Sequence, residues 1–485
     1  MHQRRTGLVL LLFCAALFLI ALGNHQLQGS TEPRVAGIAM EMQLDHDWVT
    51  PRVNGQPFLE KPPLSLWLDV TAMHLFGPTE LAVRLASALA GLGCVMLFYG
   101  MLRYLGRSTA LALLAALMLT TMASFWGNVR QVGEDALLCL GVSLALLSFL
   151  RAHLHQRDDS AAWPLFALGI AIASLSKGLL GLALPGVVIF VYLLVESVQQ
   201  RRIQPRNWLR PLAWTFLGVL PLLFWLGALY RQQGLAGLHE ILWANSVGRF
   251  DGSFADAGHF EPWYYYLGKL PEAFLPWNLL TYLGLWHFRR RMRDDRQLLF
   301  FYVWLLAQFL LLTLASSKRM VYLMSLSPAA AVIAAEYGSL WLARWRERRF
   351  LKVAQVGVFA LALLVYLGVA VKVQPREDRQ EGFLPLVTQI QTRQARGESV
   401  VLYQPSERLA GAAVFYSRSR LPALDDQAAL LRFLRASTAH VAVMESLSPP
   451  APPLKILDKQ VVGKRTYYVL GAEAAGPLEA ANGHS

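Results

Sequence analysis

The sequence predicts an all-α, polytopic membrane domain followed by a small C-terminal α/β domain. Three observations carry that prediction. Hydrophobic residues make up 55% of the 485 and charged residues 16%, against roughly 25% charged in ordinary soluble domains. About eleven apolar segments approach the length that crosses a bilayer. The arginines gather in every second connection between those segments.

The expected spans are 7–23, 80–102, 108–126, 134–150, 162–176, 178–196, 212–230, 269–286, 298–315, 320–342 and 352–373. The first follows Arg4 and Arg5, as in a signal peptide, but its apolar run exceeds the usual 7–15 residues. It is expected to stay as a transmembrane helix. The run Leu165 to Val195 is too long for one helix and breaks at Ser176-Lys177-Gly178, giving two spans.

The basic connections hold Arg4 and Arg5, Arg103 and Arg107, Arg151 and Arg157, Arg201 to Arg210, Arg289 to Arg296, and Arg344 to Arg349. Short basic loops stay in the cytoplasm. The N-terminus is therefore expected in the cytoplasm of a bacterial inner membrane, and the C-terminal domain in the periplasm. The net charge of +13 is a topology signal. No compact basic domain remains, which excludes nucleic acid as a partner.

The opposite face receives loop 24–79, the segment around Arg130 to Asp135, the break at Lys177, loop 231–268, the SSKRM turn and the tail. Chemistry is expected there. In the tail, 374–485, VVLYQ, AAVFYSRSRLPAL, AHVAVME and KRTYYVLG predict strands and ALLRFLRAS a helix. Cys14, Cys94 and Cys139 each lie in an apolar run and are expected buried, without disulfides. No Walker A, GxSxG or nucleotide fingerprint occurs.

Loop 24–79 concentrates ionisable residues: Glu32, Arg34, Glu41, Asp45, Asp47, Glu60 and Lys61. Glu134 and Asp135 stand where the fourth span begins; Asp135 caps that helix and Glu134 is expected to be its exposed neighbour. Lys177, Arg249, His259, Lys318, Arg319 and Tyr322 complete the set. Ionisable groups at membrane depth are costly and mark functional sites by default. Several cations at a membrane surface suit a phosphate or pyrophosphate headgroup, and a nearby carboxylate suits a general base. Prolines 57, 62 and 63 are expected to hold the loop extended. Trp48, Trp67 and Trp263 to Tyr266 read as an interfacial belt. The set predicts an enzyme acting on a lipid-linked phosphate.

The stretches TEPRVAGIAMEM and DWVTPRVNGQPFLEKPPLSLWL resemble the bacterial lipid-A aminoarabinose transferases and their protein O-mannosyltransferase relatives in the GT-C class. VGEDALLCL, LSKGLLGLALPG, GRF…GHFEPWYYYLGKLPEAFLPW and SSKRMVYLMSLSPAAA follow in the family's order. The resemblance implies a GT-C fold of about 11–13 transmembrane helices, periplasmic loop helices and a small periplasmic α/β domain. It implies transfer of a sugar from a polyprenyl phosphate to an acceptor on the periplasmic face. In the aminoarabinose branch the acceptor is lipid A, and the modification opposes polymyxin.

Residue by residue, the resemblance implies Glu32 and Asp135 as catalytic. It implies Lys61, Arg249, Lys318 and Arg319 as contacts to the donor phosphate; Arg34, Lys177 and Tyr322 are further candidates for binding substrate or phosphate. Glu60 and His259 match positions that would share a divalent metal ion, the one cofactor implied. Thr31 stands where the family has its catalytic Asp, and Val35 where it has Tyr. Threonine cannot act as a base at ordinary pH. Either Glu32 or Asp135 takes the role, or activity is weakened.

The expected partners are an undecaprenyl-phosphate-linked sugar, lipid A or another periplasmic acceptor, and membrane lipids. Three alternatives stand beside lipid A modification: the same chemistry on a protein, glycan or other lipid, a lipid transporter, and a non-catalytic polyprenyl-phosphate binder. Against transport, no inverted repeat is visible and the charges collect on one face.

Overall fold

The computed structural model describes residues 2–154, 161–253, 259–344, 349–451 and 454–472. The expected cytoplasmic residues Arg157, Arg346 and Arg348 lie outside them. The chain divides into two compact units. The first comprises 1–24, 47–51 and 58–372; the second comprises 25–46, 52–57 and 373–485. The opening loop, expected as one piece, is thus divided between them.

The first unit is helical. Its helices begin with α1 (His2–Leu19); α2 (Thr31–Asp45) belongs to the second unit. Then come α3 (Leu64–Phe76), α4 (Glu80–Tyr104), α5 (Thr109–Thr120), α6 (Ala123–Val129) and α7 (Asp135–Leu154). They continue as α8 (Ala162–Gln200), α9 (Pro205–His239), α10 (Arg249–Asp251), α11 (Tyr265–Ala273) and α12 (Asn278–Phe288). The last are α13 (Arg296–Leu314), α14 (Ser327–Ala343) and α15 (Arg349–Gly368).

Every expected span falls on helix. Among the described residues, 7 helices are long and apolar enough to cross a membrane, or 8 if α5 and α6, bent by 65°, form one span. The strict count is below eleven because several spans are broken, and because α8 counts once.

Within α8 the chain reverses. A Cβ on Gly181 would fall 2.0 Å from the Ala173 carbonyl oxygen. In a continuous helix residues eight apart are separated by about 12 Å. The turn is made at Lys177 (φ −144°, ψ 24°) and Gly178 (φ 55°, ψ −128°), the latter a conformation that glycine alone adopts readily. The arms 162–176 and 179–200 are therefore the two expected helices.

Arg84 and Arg130 are buried. Arg130 donates to the carbonyls of Leu17, Phe18, Ile20 and Ala21 at 3.0–3.1 Å, and Arg84 to that of Leu22 at 3.1 Å. The Leu17 and Phe18 carbonyls are among those the end of α1 leaves without partners, and the other three lie in the turn just beyond it. Leu10, Cys14, Leu17 and Phe18 on α1 are in the core, so α1 is an integral part of this unit.

The second unit is an α/β structure. After α16 (Gln374–Glu381) and α17 (Leu384–Ala395), it runs β3 (Ser399–Tyr403), α18 (Glu407–Ser417), β4 (Ala423–Leu424), α19 (Gln427–Ala436), β5 (His440–Ser446), β6 (Leu454–Val462) and β7 (Arg465–Ala472). The sheet order is β4-β3-β5-β7-β6. Pairs β3–β4 and β3–β5 are parallel; β5–β7 and β6–β7 are antiparallel. Two-residue strands β1 (Arg52–Val53) and β2 (Gln56–Pro57) form a hairpin around Asn54-Gly55, both at positive φ.

Three expectations are corrected here. Residues 31–45, expected to be part of an extended loop, are helix α2. It crosses α18 so closely that a Cβ on Gly37 would fall 2.3 Å from the Gly411 Cα. AAVFYSRSRLPAL, expected to be a strand, supplies the end of α18 and then the short β4; short apolar runs do not reveal their period. Strand β6 was not foreseen.

Candidate active site

The site assembles in the first unit from four chain segments. Pro62 and Pro63 end a bent connection, not the extended one expected, and lead into α3, so Lys61 is held just before a helix start. Gly178, at the α8 reversal, packs on that stretch: a Cβ there would lie 3.6 Å from Pro62 Cγ. This contact brings Lys177 beside Lys61. The third segment enters α7 through Gly133, whose carbonyl accepts from Ser87 Oγ at 3.0 Å. It delivers Glu134 and Asp135.

Glu134 is the hub. Its Oε1 lies 2.5 Å from Lys61 Nζ and 3.1 Å from Lys177 Nζ. Lys177 also pairs with Asp135, and its Nζ stands 4.4 Å from the Tyr322 ring centroid. Glu134 is 3% exposed, which corrects the expectation that it is the exposed neighbour of Asp135. Burial alone would raise its pKa. The ammonium groups of Lys61 and Lys177 outweigh burial and hold the carboxyl well below the usual glutamate range.

The fourth segment brings Arg249, which pairs with Glu60. Backbone hydrogen bonds fix it: Ser316 N–H to the Phe250 carbonyl at 2.8 Å and Ser317 N–H to the Arg249 carbonyl at 3.1 Å. Asn245 Nδ2 donates to the Leu59 carbonyl at 3.0 Å and anchors the neighbouring Glu60.

Glu60, Lys61, Lys177 and Arg249 border a cavity of about 330 Å³; Glu134 and Asp135 stand behind the lysines and do not line it. Lys61, Lys177, Arg249 and Tyr322 line one part of it; Leu180, Leu222, Trp225, Leu226, Leu311 and Leu312 line the rest. Three cations meet three carboxylates, Glu134, Asp135 and Glu60, beside an apolar chamber. An anion carried on a hydrocarbon chain fits both features: the chamber takes the chain and the cations exchange carboxylate partners for the anion.

Lys318 and Arg319 do not line this cavity. Lys318 Nζ donates to the carbonyls of Glu261 at 3.0 Å and Ala315 at 2.5 Å, closing its own turn. The Arg319 backbone N–H meets Tyr266 Oη at 3.2 Å. Arg34 and Glu32 lie in the second unit on α2. Arg34 pairs with Glu407 at 2.7 Å, and Glu32 accepts from the Gln28 N–H at 3.0 Å.

The metal expected at Glu60 and His259 is not matched by the donor set. Among the described residues no three His, Cys, Asp or Glu side chains gather into a metal cage, and Glu60 is engaged by Arg249. The His259 side chain is exposed, while its carbonyl accepts from the Lys318 N–H at 2.8 Å.

Residues 60–225 match the dolichyl-phosphate-mannose-protein mannosyltransferase family. An undecaprenyl phosphate-alpha-4-amino-4-deoxy-L-arabinose arabinosyl transferase of Pseudomonas paraeruginosa is 29% identical over 403 residues, 80% of this chain and 70% of that protein. The enzyme of the same name from Pseudomonas aeruginosa is 30% identical over 334 residues, 67% of this chain and 58% of its own length. The chain thus spans 58–70% of these two relatives. The crystal structure of ArnT from Cupriavidus metallidurans bound to undecaprenyl phosphate superposes with a TM-score of 0.74. It is 20% identical, with 97% of this chain and 99% of that one covered, and it establishes the fold.

Proposed function

We propose, from its similarity to the undecaprenyl phosphate-aminoarabinose arabinosyl transferases, that the chain is a membrane glycosyltransferase using a polyprenyl-phosphate-linked sugar. Its acceptor in this reading is lipid A and its sugar 4-amino-4-deoxy-L-arabinose or a close analogue. The observation that carries the proposal is the apolar cavity bordered by Lys61, Lys177 and Arg249.

The reaction is a single displacement. The acceptor oxygen bonds to the anomeric carbon as that carbon's bond to the phosphate oxygen breaks. The electron pair passes to the polyprenyl phosphate, which gains one negative charge. Lys61, Lys177 and Arg249 stabilise that charge as it develops. When the acceptor is a hydroxyl, its proton goes to a carboxylate, and Asp135, beside Lys177, is the residue we assign.

The orientation we propose puts the N-terminus in the cytoplasm and the site at the periplasmic face. It is supported by the arginine-rich connections, which alternate with the site-bearing ones along the helices. The test is mass spectrometry of lipid A from a host in which this gene is deleted and then restored. Loss of an aminopentose that returns on complementation is expected. Lipid A unchanged by deletion would overturn the acceptor assignment.

A further inference from the structure

Asp69 belongs to no role described so far. It lies in the middle of α3, eight residues after Lys61, in an otherwise apolar run, LSLWLDVTAMHLF. The residue is 1% exposed, and its Oδ2 is buried without a hydrogen-bond partner. Helix α3 is too short to cross a membrane and packs against α4 and α8.

The helices packed on α3 carry Glu80, Arg84 and Arg103 on α4 and Lys177 and Glu196 on α8; Glu134 and Asp135 stand at the start of α7, and α3 itself adds His74. Arg84 is turned toward the end of α1, where it donates to the Leu22 carbonyl. Lys177 pairs with Glu134 and Asp135. The charge that acts on Asp69 is that of Glu134, which has its own sign.

We propose that Asp69 is a positioning residue that keeps its proton in the folded enzyme, and that its neutrality keeps Glu134 the anionic partner of Lys61 and Lys177. The inference rests on the polyprenyl-phosphate reading of the site. Holding a proton at pH 7 against an ordinary aspartate value of about 3.9 requires a bias of roughly a thousandfold. A buried carboxylate with no cation beside it and a like charge nearby supplies a bias of that order. Burial first, and Glu134 second, push the Asp69 carboxyl well above the usual range.

Neutrality has a consequence for binding. With Asp69 protonated, the cations Lys61, Lys177 and Arg249 balance the anions Glu134, Asp135 and Glu60. An ionised Asp69 would leave the site net negative before a phosphate arrives. It would also push Glu134 toward protonation and so release its hold on the two lysines. Asp69 acts only through Glu134 and need not touch the substrate.

The test is infrared spectroscopy of the purified, full-length protein at pH 7, wild type against Asp69→Asn. The wild type should show the carbonyl stretch of a protonated carboxylic acid, and D69N should lack that band. A wild-type spectrum identical to that of D69N in this region overturns the proposal. A second measurement uses the wild type alone, should D69N not fold: the band is followed from pH 5 to pH 9. Persistence through pH 7 is expected, and disappearance by pH 6 overturns the proposal. Undecaprenyl phosphate binding, followed over the same range in both proteins, separates this inference from the reading beneath it. If neither protein binds the lipid, the reading fails. If both bind it and the acid band is missing, only the inference fails.

Discussion

The two ends of α7 carry similar chemistry with different surroundings. At its start, Glu134 and Asp135 meet Lys61 and Lys177. Near its end, 18 residues on and about 27 Å away along the axis, His153 Nε2 lies 2.7 Å from Glu196. Arg296 pairs with the same glutamate, and the Phe149 ring stacks on His153 with centroids 5.4 Å apart. Both ends therefore hold buried, cross-paired charges.

The walls differ. The first cluster borders a cavity lined mostly by leucine, tryptophan and other apolar side chains. The recess beside the second, near Arg296, is lined largely by charged and polar groups: Arg107, Arg291, Asp294, Asp295 and Gln297. A buried ion pair alone is weak evidence of function, since it also joins helices. It marks a site where an apolar chamber lets a lipid-borne anion replace one of its partners. By that criterion the first cluster is the one we propose as the substrate site, and the second fastens α7, α8 and α13 together.

Replacing one residue at each end sharpens the contrast. Lys177→Ala removes a cation that faces both Glu134 and Asp135 and the cavity. Sugar transfer should fall by about 10²–10³-fold, the loss typical of removing a group that stabilises developing charge. A transfer rate within threefold of wild type would remove Lys177 from the mechanism. His153→Ala should instead lower stability by about 1–3 kcal/mol, the cost of leaving a charged hydrogen-bond acceptor short of a partner. Thermal unfolding should register that loss while kcat stays within about twofold. If H153A loses transfer as severely as K177A, the two ends are not functionally distinct.

A smaller effect concerns pH. Glu134 has a depressed pKa in the folded state. Its contribution to stability is therefore present above the ordinary glutamate value of about 4.3, and is lost as the pH falls below that value through the folded one. Glu134→Gln should abolish this contribution. The difference in Tm between wild type and E134Q should be full at pH 6 and shrink as the pH falls below about 4. A constant difference would place the stabilisation elsewhere.

Much of the first cluster was legible in the sequence. Lys61, Asp135, Lys177, Arg249 and Tyr322 each interrupt or border an apolar segment, and all meet in the structure. Glu134 was misjudged because adjacent acids at a helix start look alike. Which one turns inward depends on where the lysines are, and only the fold sets that. Asp69 gave no signal beyond being one acid in an apolar helix. Lys318 and Arg319 look like Lys177 in sequence, but local carbonyls take up the Lys318 ammonium. Assignment of α2 to the second unit depends on the Gly37–Gly411 approach between segments 374 residues apart, which no local pattern encodes. The break in α8 was visible because the apolar run Leu165 to Val195 is too long for one span and Ser176-Lys177-Gly178 interrupts it.

The most direct measurement of the central claim is native mass spectrometry of the purified protein with undecaprenyl phosphate. Wild type, His153→Ala and the double variant Lys61→Ala/Lys177→Ala would be compared at equal lipid concentration. A single lipid adduct on wild type and H153A, with at least a tenfold loss in the double variant, is the expected result. Equal adducts on all three folded proteins would contradict the assignment of the cavity and its lysines to the polyprenyl phosphate.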